Sequence, residues 1–301
     1  MGPGSTPCGR PRICNAGVRF LDFGGYDKAM AQTPANIKAV LIDISGVLAV
    51  GGEATPGAVE ALVRLRDSGR AVRFLTNTTR KPRAALLEQL GAMGFELSAD
   101  EVFTAPLAAR RVLEQHGWRP HLLVHPDLLP DFEGLDTERP NAVVVGDAGP
   151  AFDYDALNAA FRVLVDGGGS GPDADDGRSA ALISMGSNRY FRDADGKLSL
   201  DMGPFVAALE FAAGLRARVT GKPAAGFFRA ALQDVGVRAA SAVMIGDDLP
   251  NDIGGAMHCG IAGVLVRTGK FRPADEHDPE VHPEAVCDDF AAAVDWVLSQ
   301  G

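Results

Sequence analysis

The sequence predicts an α/β fold: a doubly wound parallel sheet interrupted by a second α/β unit. Three observations carry this expectation. Short apolar, β-branched runs alternate with segments of helical period along most of the 301 residues, the pattern of parallel strands joined by crossover helices. Polar residues punctuate the ends of several of those runs, where open α/β sheets bind their ligands. The polar points are also unevenly spaced. Asp43 and Thr76 stand 33 positions apart, enough for one helix and its turns, whereas Thr76 and Lys222 stand 146 apart, too many for one crossover.

Residues 1–36 read as an N-terminal extension, rich in Gly and Pro at its start and without the apolar segment of a signal peptide. Met30 is the expected native start, with residues 1–29 a dispensable leader to it. The first strand is the apolar run 37–43, which stops at Asp43-Ile-Ser45-Gly-Val-Leu48. Thr55-Pro56 opens a helix in which Val59, Leu62, Val63 and Leu65 recur near helical spacing, and proline suits its first turn. A strand follows at 73–76, a helix at 83–93 stopped by Gly94, a short strand at 101–104 and a helix at 106–116. From about Trp118 the alternation restarts, with strands at 121–125, 142–145 and 180–184 and helices at 155–165 and 204–213. Strands at 218–220, 242–245 and 263–266 are expected to resume the first sheet. The expected division is a core of 37–117 with 216–301 and an inserted domain of 118–215. The Gly- and Asp-rich segment 166–177 reads as a solvated loop, since it lacks the ligand spacing and closing Glu of a calcium-binding loop.

Composition excludes some classes. Hydrophobic residues make up 46% and charged residues 23%, an ordinary globular balance. No run of about 18 apolar residues exists, so no membrane span is expected. The net charge of −10, without a large basic block, argues against a nucleic-acid partner. Four cysteines lack paired metal spacing, and a reducing cytoplasm is the expected compartment.

The polar points form a chemical set: a carboxylate at Asp43, a hydroxyl at Thr76, an ammonium at Lys222, and the carboxylates Asp247, Asp248 and Asp252 in Gly246-Asp-Asp-Leu-Pro-Asn-Asp252. Each one alone has an ordinary explanation. Asp ends strands in turns and caps helices, Thr favours strands, and acids suit helix N-termini. Converging on one crevice, they suit phosphoryl transfer: a nucleophile, cations for the equatorial oxygens, and a divalent metal site.

In order and spacing these motifs resemble the haloacid dehalogenase (HAD) phosphatase superfamily. Residues flanking them extend the resemblance to class IIA: Asn77, the run Arg267-Thr-Gly-Lys-Phe-Arg-Pro, Pro140-Asn-Ala-Val-Val-Val-Gly-Asp, Arg189-Tyr-Phe, and Leu200-Asp-Met-Gly-Pro-Phe. The resemblance spans roughly residues 37–298. It implies a Rossmann-like HAD core with a C2-type cap inserted between the second and third motifs. It also implies that Asp43 attacks phosphorus to form an aspartyl-phosphate, with Mg²⁺ held by Asp43, the backbone carbonyl of Ser45, and Asp247. Asp248 and Asp252 would support that metal. Thr76 and the amide of Asn77 would bind phosphoryl oxygens, and Lys222 would balance charge. The implied partner is a small phosphorylated substrate or a phosphorylated side chain, with a homodimer formed through the cap.

Ser45 departs from the commoner pattern, in which an Asp two residues after the nucleophile protonates the leaving group. A serine hydroxyl cannot act as an acid of that strength. An alkoxide would then leave poorly, whereas a nitrogen leaving group carries its own proton and the leaving half of pyrophosphate departs as a weakly basic anion. Ser45 therefore favours P–N or P–O–P substrates. The alternatives are a HAD scaffold of little turnover acting by binding, and a monoester phosphatase. A receiver module is excluded by length and by the order of its acidic pair, and a dehalogenase by the insertion point and acidic cluster.

Other features read as ordinary. Arg267-Thr-Gly-Lys lacks the Gly spacing and final Ser/Thr of a phosphate-binding P-loop. His277 and His282 lie in an acidic, Pro-containing loop, and His258 with Cys259 reads as buried packing. Asn188, Arg189 and Tyr190 fit either a leaving-group contact or a polar turn.

Overall fold

The computed structural model describes residues 36–166, 180–192 and 196–300. The expected N-terminal extension before Asn36, including Met30, lies outside the described residues, as does the segment 166–177 beyond Asp166. The chain runs through β1 (Ala39–Asp43), a small hairpin of β2 (Ala49–Val50) and β3 (Glu53–Ala54), α1 (Ala58–Asp67), β4 (Ala71–Thr76), α2 (Arg83–Ala92), β5 (Val102–Thr104) and α3 (Ala105–His116). A second stretch follows: β6 (Pro120–Leu123), β7 (Ala142–Val145), α4 (Tyr154–Asp166), β8 (Ala181–Ser184), the hairpin β9 (Tyr190–Arg192) and β10 (Leu198–Leu200), α5 (Met202–Ala213) and β11 (Arg218–Val219). The last described elements are α6 (Ala225–Val235), β12 (Ala242–Gly246), the short α7 (Gly255–His258), β13 (Ala262–Val266), β14 (Ala285–Cys287) and α8 (Phe290–Ser299).

The first sheet has six strands in the order β14-β13-β12-β1-β4-β5, and its neighbours are all parallel. Parallel strands covered on both faces read as continuous apolar runs, and β1 is buried along its whole length. Its side chains alternate between two cores. Val40 and Ile42 pack with Leu62 and Leu65 of α1 and Val294 of α8. Ala39 and Leu41 pack with Phe227 and Phe228 of α6 and Met244 of β12. This is the doubly wound α/β core that the sequence predicts.

The second sheet has four parallel strands in the order β11-β8-β7-β6. Its core gathers Val143–Val145, Ile183 and Leu164 with Val206 and Leu209 of α5. Two expectations change here. The strand at 218–219 belongs to this second sheet, pairing Arg218 with Ile183 and Val219 with Ser184. Both edges of β1 are already taken by β12 and β4, so β11 pairs instead with β8 across the inserted unit. Helix α3, expected within the first unit alone, serves both. Ala105, Ala109 and Leu113, spaced by four, enter the second core, while Ala108 enters the first. Thr104 caps this helix by accepting from the Leu107 amide at 3.1 Å, and Gly117 ends it at φ 63°. His258, expected in the core, is not buried there; it sits at the end of α7. Among the described residues no helix is long and apolar enough to cross a membrane.

Phe74 is fully buried in β4, between β1 and β5. Phe74→Ala should destabilise the fold by about 3–5 kcal/mol, the usual cost of emptying a core aromatic site. A urea unfolding midpoint lowered at unchanged m-value would register it.

Candidate active site

The strand order places the carboxyl ends of β1, β4 and β12 side by side, and the polar points of the sequence meet there. Asp43 is the last residue of β1, Thr76 the last of β4, and Asp247 follows β12 directly. Lys222 arrives differently, three residues after β11 of the second sheet. Its ammonium contacts Asp43 Oδ1 and lies 2.6 Å from Asp252 Oδ1. All three residues are buried.

Asn77 secures that arrival. Its side-chain amide donates to the Lys222 carbonyl and its Oδ1 accepts from the Lys222 amide, both at 2.8 Å. Gly221 makes the approach possible, since a Cβ there would fall 2.6 Å from Asn77 Oδ1 and 2.3 Å from the Met185 carbonyl oxygen. The sequence points only to the Asn77 backbone amide; the structure adds this side-chain clamp. Thr76 Oγ1 lies 2.8 Å from Thr78 Oγ1 and accepts from the Thr78 amide.

The acidic cluster divides. Asp248 caps a widened helical turn over Leu249–Gly254, accepting from Asn251 through both its backbone and side-chain nitrogens. Turns of this π type are rare and concentrate at functional positions. The turn returns Asp252 beneath β12, where a Cβ on Gly246 would lie 2.3 Å from Asp252 Cβ. Asp43, Asp247 and Asp252 thus present carboxylate oxygens within 4.8 Å of one another. Asp248 stands apart and pairs with Lys270 Nζ at 2.8 Å. The sequence offers Asp248 and Asp252 together as supports; the geometry groups Asp252 with Asp43 and Asp247 and sets Asp248 with Lys270.

Asp247 is held from the β13 side. Its Oδ2 accepts from the Lys270 amide at 2.7 Å, and the Thr268 hydroxyl donates to the Gly46 carbonyl. Gly46 and Gly269, both at positive φ, leave room for this carboxylate: a Cβ on either would fall within about 2.0 Å of Asp247 Oδ2. The 267–270 segment, no P-loop by its sequence, is therefore still part of the site. The available signal is its place just after the carboxyl end of β13.

Electrostatics show a local surplus of negative charge. Burial raises the Asp43 carboxyl, with Lys222 opposing and Asp247 adding to the rise. Burial, then the nearby Asp252, pushes Asp247 up to about 6. Burial also pushes Asp252 up to about 7, with Lys222 opposing and Asp43 and Asp248 reinforcing. Burial would lower Lys222, but Asp252 and Asp43 outweigh it and hold the ammonium protonated. Asp248 shows the contrast: burial would raise it, but Lys270 and Asn251 bring it below the usual value.

One ammonium thus serves three clustered carboxylates. Asp247 Oδ1 is buried without a hydrogen-bond partner, as a ligand oxygen waiting for a cation would be. An all-oxygen carboxylate set suits Mg²⁺. The cluster opens on a cavity of about 190 Å³ lined by Asp43, Ser45, Thr76, Asn77 and Lys222, with Asn188 reaching in from the second unit.

Comparison with known proteins agrees with the fold. The haloacid dehalogenase-like hydrolase profile matches residues 40–138, and a HAD-hydrolase-like profile matches 219–293. The chain is 47% identical over 268 residues to human phospholysine phosphohistidine inorganic pyrophosphate phosphatase, covering 88% of this chain and 95% of that one. It is equally 47% identical over 262 residues to bovine haloacid dehalogenase-like hydrolase domain-containing protein 2, covering 87% and 96%. Among solved structures, glycerol phosphate phosphatase from Mycobacterium tuberculosis in complex with magnesium superposes with a TM-score of 0.71 at 26% identity, covering 87% of this chain and 78% of that one.

The carboxylate surplus has a measurable sign. A carboxyl raised in the folded state binds its proton more tightly there than in the unfolded chain. Its contribution is fully present below the unfolded value near 3.8 and is lost as pH rises through about 6 for Asp247 and about 7 for Asp252. In chelator, raising pH from 5 to 8 should therefore favour Asp247→Asn over the wild type by on the order of 1–3 kcal/mol. Saturating Mg²⁺ at pH 8 should stabilise the wild type more than the variant. Urea midpoints across the pH series, with and without Mg²⁺, check both.

Proposed function

The chain belongs to the haloacid dehalogenase-like hydrolases, class IIA, and from that membership we propose that it is a Mg²⁺-dependent phosphohydrolase of P–N or P–O–P bonds. The observation that carries the reading is the buried Lys222 ammonium shared by Asp43 and Asp252, beside an Asp247 oxygen left without a partner. In this reading Asp43 is the nucleophile. A carboxylate oxygen attacks phosphorus as the bond to the leaving group breaks, and that group departs with the bond's electron pair. Water then attacks the aspartyl-phosphate, its phosphorus–oxygen bond breaks, and the electrons return to Asp43. The proton lost by water passes to the released phosphate.

Asp43, Asp247, Asp252 and the Ser45 carbonyl would hold the metal, which supplies charge neutralisation for the phosphoryl oxygens. Thr76, with the amide of Asn77, would bind those oxygens as well. Lys222 favours the ionised form of Asp43 and orients it, and Asn77 keeps Lys222 in register. The second unit acts as a cap, drawn at 118–215 from the sequence and extended here to β11. It brings Asn188 to the cavity and limits water there. Its helices also expose Tyr154 and Phe211, the latter at 92%, and a homodimer formed through the cap belongs to the same reading. So does a cytoplasmic setting, in which Cys259 and Cys287 stay free thiols.

The substrate class rests on Ser45, which lines the cavity where a general acid would stand. The other lining acids are committed: Asp43 and Asp252 to Lys222, Asp248 to Lys270. Among the described residues each carboxyl lining the cavity is thus paired with a lysine rather than free to serve an alkoxide. This favours substrates whose leaving groups need no proton from an acid, including phosphorylated side chains bonded through nitrogen and inorganic pyrophosphate. The human relative's name records that same substrate range.

Asp43→Asn should remove turnover on pyrophosphate and on phosphoramidate while leaving a cooperative melt. Near wild-type turnover would refute the nucleophile. Ser45→Asp should raise the ratio of alkyl-ester to phosphoramidate kcat/KM, up to the ~10²–10⁴-fold that general acid catalysis supplies. The ratio is the readout because the added charge near phosphate lowers both rates together. A flat ratio would return the monoester reading to equal standing.

A further inference from the structure

Among the described residues two ammonium groups border the cavity, and they differ in burial and partners. Lys222 is deeply buried, with its charge divided between Asp43 and Asp252. Lys270 stands at the mouth, with its side chain 64% exposed and its Nζ 2.8 Å from Asp248. The root of Lys270 is nonetheless fixed. Its amide donates to Asp247 Oδ2 at 2.7 Å, and the nearby Thr268 hydroxyl is tied to the Gly46 carbonyl. A flexible four-carbon stem thus starts from the carboxylate cluster and carries a mobile point charge to the cavity rim.

Its partner can release it. Asp248 also accepts from the Asn251 amide at 3.1 Å and from Asn251 Nδ2 at 2.9 Å, so its carboxylate stays hydrogen-bonded when the ammonium swings away. Asn188, Asn251 and Ser45, which also line the cavity, are neutral, and Asp248, the anion beside Lys270, is fixed on Asn251. The movable charge at the mouth is therefore a cation, and it selects by sign. It repels a protonated amine leaving group, has no use for a neutral one, and attracts an anion.

We propose that Lys270 is the specificity residue for a diphosphate, binding the phosphate that leaves. This rests on the phosphohydrolase reading above and narrows it. As Asp43 takes the inner phosphoryl group, the bridging P–O bond breaks and its electron pair stays on the bridging oxygen of the outer phosphate. Lys270 stays protonated and pairs with that developing charge. The outer phosphate is weakly basic, which is why a site with Ser45 in place of an acid can release it.

The test uses the full chain with Mg²⁺ and two probes, inorganic pyrophosphate and phosphoramidate, whose leaving group carries no phosphate. In Lys270→Gln the ratio of pyrophosphate to phosphoramidate kcat/KM should fall about 10–100-fold, the range for losing one charged hydrogen bond. Lys270→Arg should restore most of that ratio. Lys270→Arg, which keeps both the charge and the backbone amide that holds Asp247, should leave the Mg²⁺ concentration for half-maximal rate unmoved. An unchanged ratio would overturn the proposal, whether both rates fall equally or neither falls; so would a wild type active on phosphoramidate but not on pyrophosphate. A wild type inactive on both probes would instead refute the P–N and P–O–P reading, and this inference with it.

Discussion

A single buried ammonium, shared by two carboxylates that come from different parts of the chain, constrains the rest of this structure. Burying Lys222 alone would cost several kcal/mol, and burying Asp43 or Asp252 alone would cost as much. Together they are tolerable only if the three groups meet with good geometry. Much of the local architecture enforces that meeting. β1 delivers Asp43 at its last residue, the widened turn after β12 folds Asp252 back under Gly246, and the Asn77 side chain fixes the backbone of Lys222. Yet the arrangement is not neutral. Asp247 adds a third carboxylate with an unpaired oxygen, and the raised carboxyls of Asp247 and Asp252 register the resulting excess of negative charge. A fold that keeps so much uncompensated charge has given up stability at a place where an added cation recovers it.

That constraint also couples the two sheets. Lys222 follows β11, which is hydrogen-bonded to the second sheet, while both carboxylates that hold it belong to the first. The loop after β4 strengthens the link. Arg80 pairs with Asp147 at 2.5 Å and stacks on Phe191 at 4.8 Å, and Thr79 Oγ1 accepts from the Asp147 amide. Helix α3 contributes to both cores. A displacement of the second sheet would therefore pull directly on the ammonium that contacts Asp43. On the proposed reading, substrate engagement by the cap and activation of the nucleophile share one mechanical connection.

Much of this is legible in the sequence because of where the strands lie. Buried on both faces, β1, β4, β12 and β13 read as largely apolar runs, so the polar residue ending each run stands out. Asp43, Thr76, Asp247 and the insertion between Thr76 and Lys222 can all be located that way. The unreadable parts depend on contacts between distant positions. The two-residue strand at Arg218 and Val219 carries no periodicity that could choose a sheet. The Asn77 clamp spans 145 positions and the Thr268 tie spans 222. How Asp247, Asp248 and Asp252 share their roles depends on a helical turn wider than the ordinary one, and no residue type announces that. Hairpin β9–β10 pairs only three residues on each side, too short for an alternation to register, so Asn188 to Tyr190 read equally well as a turn.

The absence of an acid at Ser45 then has a physical corollary. A hydrolytic site can lower the barrier for departure by giving the leaving group a proton or by stabilising its negative charge. Proton donation is largely indifferent to what lies beyond the departing atom, so a site that relies on it accepts many esters. Charge stabilisation is not indifferent, because it depends on sign and falls with distance. Here the described acids lining the cavity are all paired with lysines, which favours the electrostatic route. Such a site selects substrates by the charge that the leaving group already carries. On this view Ser45 narrows the substrate range without contacting the part of the substrate that is recognised, and the fixed charges around the cavity decide which leaving groups depart.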